Sequence, residues 1–184
     1  MSSSSHDTPS ATNRDGRDEL FPSGAVLVVG GSGGVGRAVC LEFARAGTDV
    51  ALTYHHRREV ALEVAEGIRA LGRKASVHQL TLGDSHQVAL AVNEAAAAHE
   101  RLHTIVIGAG TLATQVLLSE MSSEQWQTIV NQDLNGCFNL LSLTLPMLKR
   151  WAAGPTFTSV PPAICDGPNA TACRLRPRRR SKHS

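Results

Sequence analysis

Residues 25–37 read Ala25-Val26-Leu27-Val28-Val29-Gly30-Gly31-Ser32-Gly33-Gly34-Val35-Gly36-Arg37. An apolar run enters a glycine-rich turn, and Val39, Phe43 and Ala46 then recur at helical spacing, so the stretch reads as strand, turn and helix. Without a Cβ, Gly30, Gly34 and Gly36 let the backbone turn tightly, approach a ligand closely and bring the helix onto the strand. The unsatisfied N–H groups and positive dipole end of that helix favour an anion. Such a turn also occurs as an ordinary strand-to-helix connection; the strand before it and the helix after it favour a pyrophosphate cradle.

Outward from this turn, strand and helix patterns alternate. Strands are predicted over 26–29, 50–54, 75–80 and 104–107, and helices over 34–46, 57–71 and 84–99. Gly72 closes the second helix and Asp84 is placed to cap the third. After Gly108-Ala109-Gly110 and a loop, a helical run extends from about 122 to 150. Ser122 with Gln125 has capping-box spacing, and Pro146 is expected to kink or shorten the far end. Strands alternating with helices imply right-handed crossovers and a parallel sheet covered on both faces. The fold class is therefore α/β, a Rossmann-type doubly wound parallel sheet whose ligand crevice lies at the carboxyl ends of its strands. The glycine turn, residues 54–57, Thr81 with Leu82, and 108–110 all fall on that edge.

Composition bounds the alternatives. A chain of 184 residues, 42% hydrophobic and only 4% aromatic, supports one largely aliphatic core. Residues 1–23 form a Ser-, Asp- and Arg-rich leader without a signal-peptide pattern, expected to be disordered. No run approaches the length needed to span a bilayer, so the expected location is cytoplasmic and no membrane partner is expected. Cys40, Cys137, Cys165 and Cys173 are widely spaced, which argues against a zinc site or a disulfide framework; Cys40 reads as a small buried apolar residue. His55 and His56 are adjacent and have no evident third ligand, so no metal site is expected.

An acid at the end of the second strand would bind an adenosine 2′-hydroxyl and select NAD. The chain has Thr53-Tyr54-His55-His56-Arg57-Arg58 there, with no acid before Glu59. Arg57, helped by His55 or Arg58, suits a 2′-phosphate, which favours NADP over NAD. The plainer alternative is a solvated helix start.

Residues 24–151 resemble the short-chain dehydrogenase/reductase family, and within it the β-ketoacyl-carrier-protein reductases. Val29-Gly30-Gly31-Ser32-Gly33-Gly34-Val35-Gly36 matches the Thr-Gly-x-x-x-Gly-x-Gly turn with Val29 in place of Thr. The stretch from Ala70 to Ala75 resembles the link into the third strand, 126–138 the long interface helix, and Leu145-Pro146-Met147-Leu148-Lys149 its end. The resemblance implies a nicotinamide dinucleotide held by Gly30, Ser32, Gly33, Gly34, Val35, Gly36, His55, Arg57, Thr81, Ala109 and Gly110. It also implies a small carbonyl substrate if the chain is active, and a homo-oligomer formed through the 122–150 helix.

Departures from the family pattern are equally specific. Ile107-Gly108-Ala109-Gly110 stands where the family has Asn-Asn-Ala-Gly, Thr81 where it places an acid beside the adenine, and Asp133 where it has a catalytic-site Asn. Asn131 and Asn135 flank Asp133 and need a register shift to substitute for that Asn. The family protonates its substrate with the Tyr of a Tyr-x-x-x-Lys pair, yet the one tyrosine here is Tyr54, on the second strand. No catalytic residue is assigned. Pro155 to Val160 faintly resembles the family's fifth strand, with Ser159 in a poor register for its serine.

Residues 152–184 form an irregular basic tail, with six bases against one acid, a charge of about +5 that leaves about −3 on the remainder. The body thus carries no electrostatic sign of nucleic-acid binding. The tail admits three readings: a frame-shifted or truncated end, a genuine disordered tail, or a basic motif that binds phosphate. The first explains most, because family likeness stops abruptly within a predicted strand. Two functions follow: an NADP-dependent ketoreductase impaired for want of its Tyr and Lys, or a dinucleotide-binding fragment or pseudoenzyme without turnover.

Overall fold

A computed structural model of the chain describes residues 21–110, 116–150 and 156–159. The leader up to residue 20 and the tail from residue 160, with Cys165 and Cys173, lie outside the described residues.

Strand β1 (Ala25–Val29) leads through the glycine turn to α1 (Gly34–Arg45). Then come β2 (Asp49–Tyr54), α2 (Arg58–Ala70), β3 (Ala75–Gln79), α3 (Ser85–His99) and β4 (Leu102–Ile107). A 3-10 turn (Leu118–Glu120) precedes α4 (Ser123–Ile129), a π-helical segment (Val130–Asn135), α5 (Gly136–Arg150) and β5 (Thr156–Ser159). The sheet order is β3-β2-β1-β4-β5, with every pairing parallel.

Alternation along β1 divides the core in two, because successive side chains of a strand point to opposite faces. Val26 and Val28 face α1 and α2, where they meet Cys40, Ala44, Val64 and Ile68. Ala25, Leu27 and Val29 face α3 and α5, where they meet Val88, Val92, Leu140 and Leu148. All five β1 residues are buried, as required of a strand covered by helices on both sides. Each aliphatic side chain removed from water here contributes roughly 1.5–3 kcal/mol.

The sheet and the helix order agree with the sequence reading, and three local expectations change. On α1 the fully buried positions are Gly36, Cys40 and Ala44, one turn apart; Val39 and Phe43 only border them and Ala46 is the C-cap. A small-residue stripe lets α1 lie close to the sheet. The helical run from 122 is interrupted not at Pro146, which α5 accommodates, but at the π segment, where Gly136 N–H bonds to the Asn131 carbonyl five residues back. The core-facing side of α5 is Leu140, Thr144 and Leu148, while Leu134 of the π segment is 66% exposed. Finally, the sheet continues past residue 151: β5 pairs with β4 from Thr104–Thr156 to Ile107–Ser159. Thr-Phe-Thr is a favourable strand sequence, and β4 has an open edge to offer it.

Candidate functional site

A cleft of about 590 Å³ opens along the carboxyl ends of the strands. Gly30, Ser32, Gly33, Gly34, Val35, His55, Arg57, Thr81, Ala109 and Gly110 all line it. Gly36 is the one expected site residue that does not.

The glycines of the turn divide the work. Gly30 has φ +83°, and a Cβ there would lie 2.8 Å from the Ala109 nitrogen. A Cβ at Gly36 would fall on the Gly30 carbonyl oxygen, so Gly36 seats α1 against the turn. Around Gly34 nothing lies within 4 Å, which leaves an open approach to the backbone from the cleft. Gly31, to which sequence reasoning assigned no task, has no room either: a Cβ would lie 2.6 Å from Leu52 Cβ. The turn is held by Gly33 N–H donating to the Gly30 carbonyl at 2.9 Å and Gly30 N–H donating to Thr53 Oγ1 at 3.1 Å.

Gly33 is the N-cap of α1, and no side chain caps it; the helix ladder starts with Arg37 N–H on the Gly33 carbonyl at 2.8 Å. The first-turn amides thus remain available at the cleft, and the dipole of a 12-residue helix adds to their attraction for an anion. This arrangement fits a pyrophosphate: open backbone N–H groups, no side chain in the way, and no carboxylate among the residues of the turn.

One end of the cleft is basic. The His55 and His56 rings lie with centroids 3.6 Å apart, tilted by 39°, and Gln79 Nε2 donates to the His55 carbonyl at 3.2 Å, tying this loop to β3. Burial, then the charge of His56, lowers the His55 pKa. Arg57, exposed at the N-cap of α2, is the permanent cation there. Arg58 begins α2 itself and does not line the cleft.

Beyond it, Thr81 N–H donates to Gln87 Oε1 at 3.1 Å, and Gln87 Nε2 donates to Asp84 Oδ2 at 3.0 Å. Asp84 also accepts from the His86 and Gln87 N–H groups as the N-cap of α3. These bonds, that from Gln87 N–H foremost, hold its carboxyl below the usual range. Thr81 is positioned by a helix cap, then, and offers no acid to the cleft.

On the β4 side, Gly108 N–H donates to the Val29 carbonyl at 2.8 Å. The backbone of this loop lies too close to β1 for side chains at Gly30 or Gly108 to pass easily. Gln132 and Asp133 reach the cleft from the π segment. Sequence reasoning marked Asp133 only as a departure and missed Gln132; nothing in their spacing announced a π turn. Asn131 instead donates to the Gly83 carbonyl at 3.5 Å and accepts from Asn135 at 3.3 Å, so neither amide takes the place of Asp133. Burial, then the Asp133 charge, raises the Cys137 thiol. Tyr54 belongs to the core cluster that faces α1 and α2 and, at the end of β2, also lines the cleft. Among the described residues no group of His, Cys, Asp and Glu could hold a metal ion, and no helix is long and apolar enough to cross a membrane.

A family model described as short chain dehydrogenase matches residues 24–156. The 3-oxoacyl-(acyl-carrier-protein) reductase FabG of Aggregatibacter actinomycetemcomitans is 31% identical over 133 residues, which cover 72% of this chain and 54% of that protein. FabG of Staphylococcus aureus (strain N315) is 30% identical over 130 residues, 71% of this chain and 52% of that one. Among solved structures, a 3-ketoacyl-ACP reductase from Sinorhizobium meliloti 1021 is similar at TM-score 0.69 and 27% identity, over 73% of this chain and 52% of its own. Carveol dehydrogenase from Mycobacterium avium, solved in complex with NAD, shares the fold at TM-score 0.70 and 20% identity, over 77% of this chain and 55% of its own. The chain spans about half the length of the relatives it matches.

Proposed function

The chain belongs to the short-chain dehydrogenase family, and from that premise we propose that it binds a nicotinamide dinucleotide in the cleft, NADP in preference to NAD, and that the polypeptide as it stands binds without efficient turnover. The observation that carries the reading is the glycine turn: a positive-φ glycine, a helix seated by Gly36, and open first-turn amides beside Gly34. The preference for NADP rests on Arg57 at the cleft end, with the His55 ring nitrogens beside it. A carboxylate that would bind a 2′-hydroxyl is missing from residues 53–58.

When bound, the cofactor supplies a hydride to a carbonyl carbon. Residues of this chain would hold the pyrophosphate on the α1 amides, exclude water over Val29 and Leu80, and fix the 2′-phosphate at Arg57. Proton donation to the developing alkoxide is the missing part. Tyr54, the sole tyrosine, ends β2 at the border of the core and the cleft, and no Lys follows four residues later. A positioned general acid contributes about 10²–10⁴-fold, so its loss leaves little turnover. The related FabG proteins suggest 3-oxoacyl thioesters as the ancestral substrate class.

Calorimetric titration with NADPH and NADH, alongside NADPH consumption with a panel of ketones, tests both halves. The expected result is NADPH binding, weakened about tenfold or more by Arg57→Ala with NADH unaffected, and no ketone-dependent consumption. Failure to bind either dinucleotide overturns the site. Robust turnover overturns the proposed impairment and restores the ketoreductase reading.

A further inference from the structure

The cleft end that follows β2 gathers three basic side chains in a row. His55, His56 and Arg57 all line it, and among the described residues Arg57 is the only Arg or Lys that does. The loop that carries them is tied on both sides: Gln79 Nε2 of β3 donates to the His55 carbonyl at 3.2 Å, and Arg58 N–H donates to the His56 carbonyl at 3.2 Å. Both histidines are exposed, and among the described residues neither ring takes part in a hydrogen bond or an ion pair. No described carboxylate pairs with Arg57 either. Two imidazoles with centroids 3.6 Å apart therefore stand beside a guanidinium, with the polar atoms of all three left for a ligand.

We infer that the His55–His56 pair makes the choice between NADP and NAD depend on pH, a proton being taken up when the 2′-phosphate seats beside Arg57. This rests on the dinucleotide reading above. The two dinucleotides differ only in that phosphate, so the contributions of the glycine turn and of the β4 side cancel in the ratio of their affinities. Arg57 supplies a fixed charge at every working pH, whereas imidazole is the side chain whose charge changes between about pH 5 and 8. Desolvation, then the His56 charge, lowers the His55 pKa. A phosphate dianion beside the ring acts in the opposite sense and draws a proton onto it. Rings this close repel when both are charged, so the pair takes up one proton rather than two. Around this end Tyr54 ends β2, Arg58 and Glu59 begin α2 outside the cleft lining, Gln79 of β3 is uncharged, and Asp84 is committed to the cap of α3. Asp133 lines the cleft from beyond β4. Of these residue types none changes charge between about pH 6 and 8. His86, in the first turn of α3, lies outside the cleft lining. A phosphate monoester itself gains a proton near about pH 6, which sets the lower edge of the working range.

Calorimetric titration of the full chain with NADPH and with NADH at about pH 8 and about pH 6.5, each in two buffers of different ionisation enthalpy, tests this. The expected result is an NADPH-over-NADH affinity ratio that rises about three- to tenfold at the lower pH. NADPH should take up a fraction of a proton per site on binding, and NADH none. The direction is diagnostic, because a phosphate seated by Arg57 alone releases protons: a neighbouring cation lowers its pKa. In His55→Gln with His56→Gln the uptake should vanish or reverse, and the ratio should flatten with pH while still favouring NADPH. A ratio indifferent to pH in the wild-type chain, or a pH dependence that the paired substitution leaves unchanged, overturns the inference and leaves the dinucleotide site intact. Equal affinity for NADPH and NADH at both pH values overturns the NADP preference and this inference with it. Binding of neither dinucleotide overturns the site itself.

Discussion

At the scale of single residues, the glycine turn offers two neighbouring positions with opposite consequences. Gly36→Ala forces a Cβ onto the Gly30 carbonyl, a backbone atom that cannot move without opening the turn. Overpacking of this kind costs about 1–3 kcal/mol, and the urea midpoint should fall accordingly. Gly34→Ala meets no atom within 4 Å and replaces glycine in the first turn of α1, so stability should hold or rise by about 0.5 kcal/mol. Dinucleotide affinity should nevertheless drop at least about tenfold, because the methyl occupies the approach to the helix amides. Equal effects of the two substitutions on both measurements would refute this division of roles. His103 is a second single-residue case. Burial, then the charge of Arg101, lowers its pKa to about 4, and Thr48 Oγ1 and Thr104 Oγ1 hydrogen-bond its two ring nitrogens at 2.8 and 2.9 Å. A histidine whose pKa is depressed on folding contributes stability that is fully present above its unfolded value near 6.5 and is lost as pH falls from there through about 4. Unfolding midpoints measured from pH 7 to 4 should decline, and the decline should be shallower in His103→Gln.

Among the elements, β3 is held at the sheet edge by more than its ladder. Ser76 Oγ lies 2.8 Å from His78 Nε2 and 2.9 Å from His99 Nε2 of α3, and His78 Nδ1 lies 3.1 Å from Glu94 Oε2. A hydroxyl has one proton and two acceptor sites, so Ser76 donates to at most one of these imidazoles and at least one ring presents its Nε2–H to it. The other ring nitrogen of His99, Nδ1, has no hydrogen-bond partner and lies 4.0 Å from Asp49 Oδ2. Ser76→Ala should loosen the edge strand by about 1–2 kcal/mol and speed hydrogen exchange in β3 and the end of α3 rather than in β1. Uniform exchange changes across the sheet would count against this. The α4–α5 run tells the opposite story. Its inner positions are buried, while Trp126, Leu134 and Phe138 are 54%, 66% and 69% exposed.

Over the whole molecule, that exposed apolar run supports association between copies of the chain, in keeping with the oligomer proposed from family likeness. Sedimentation should show a concentration-dependent species that Leu134→Gln with Phe138→Gln shifts toward monomer; a monomer insensitive to concentration would exclude it. The site and the fold differ in how much of each can be read along the chain. Asp84 and Ser122 were recognisable as caps because a cap is a contact over three residues. The apolar run of β1, the glycine spacing and the basic loop after β2 are local in the same sense, and they determined by themselves a doubly wound sheet with a glycine turn and a basic loop at one edge. Tertiary structure decided what depends on distant atoms meeting. It seated Gly31 against Leu52, widened the helix at 130–135 where Gly136 meets Leu82, and so turned Asp133 rather than Asn131 or Asn135 into the cleft. It also extended the sheet to β5, whose four residues find their place only against the open edge of β4. Short-range hydrogen bonding and side-chain periodicity are written into neighbouring residues, whereas helix register, edge pairing and the charge lining a cleft emerge only when elements dozens of residues apart compete for the same space.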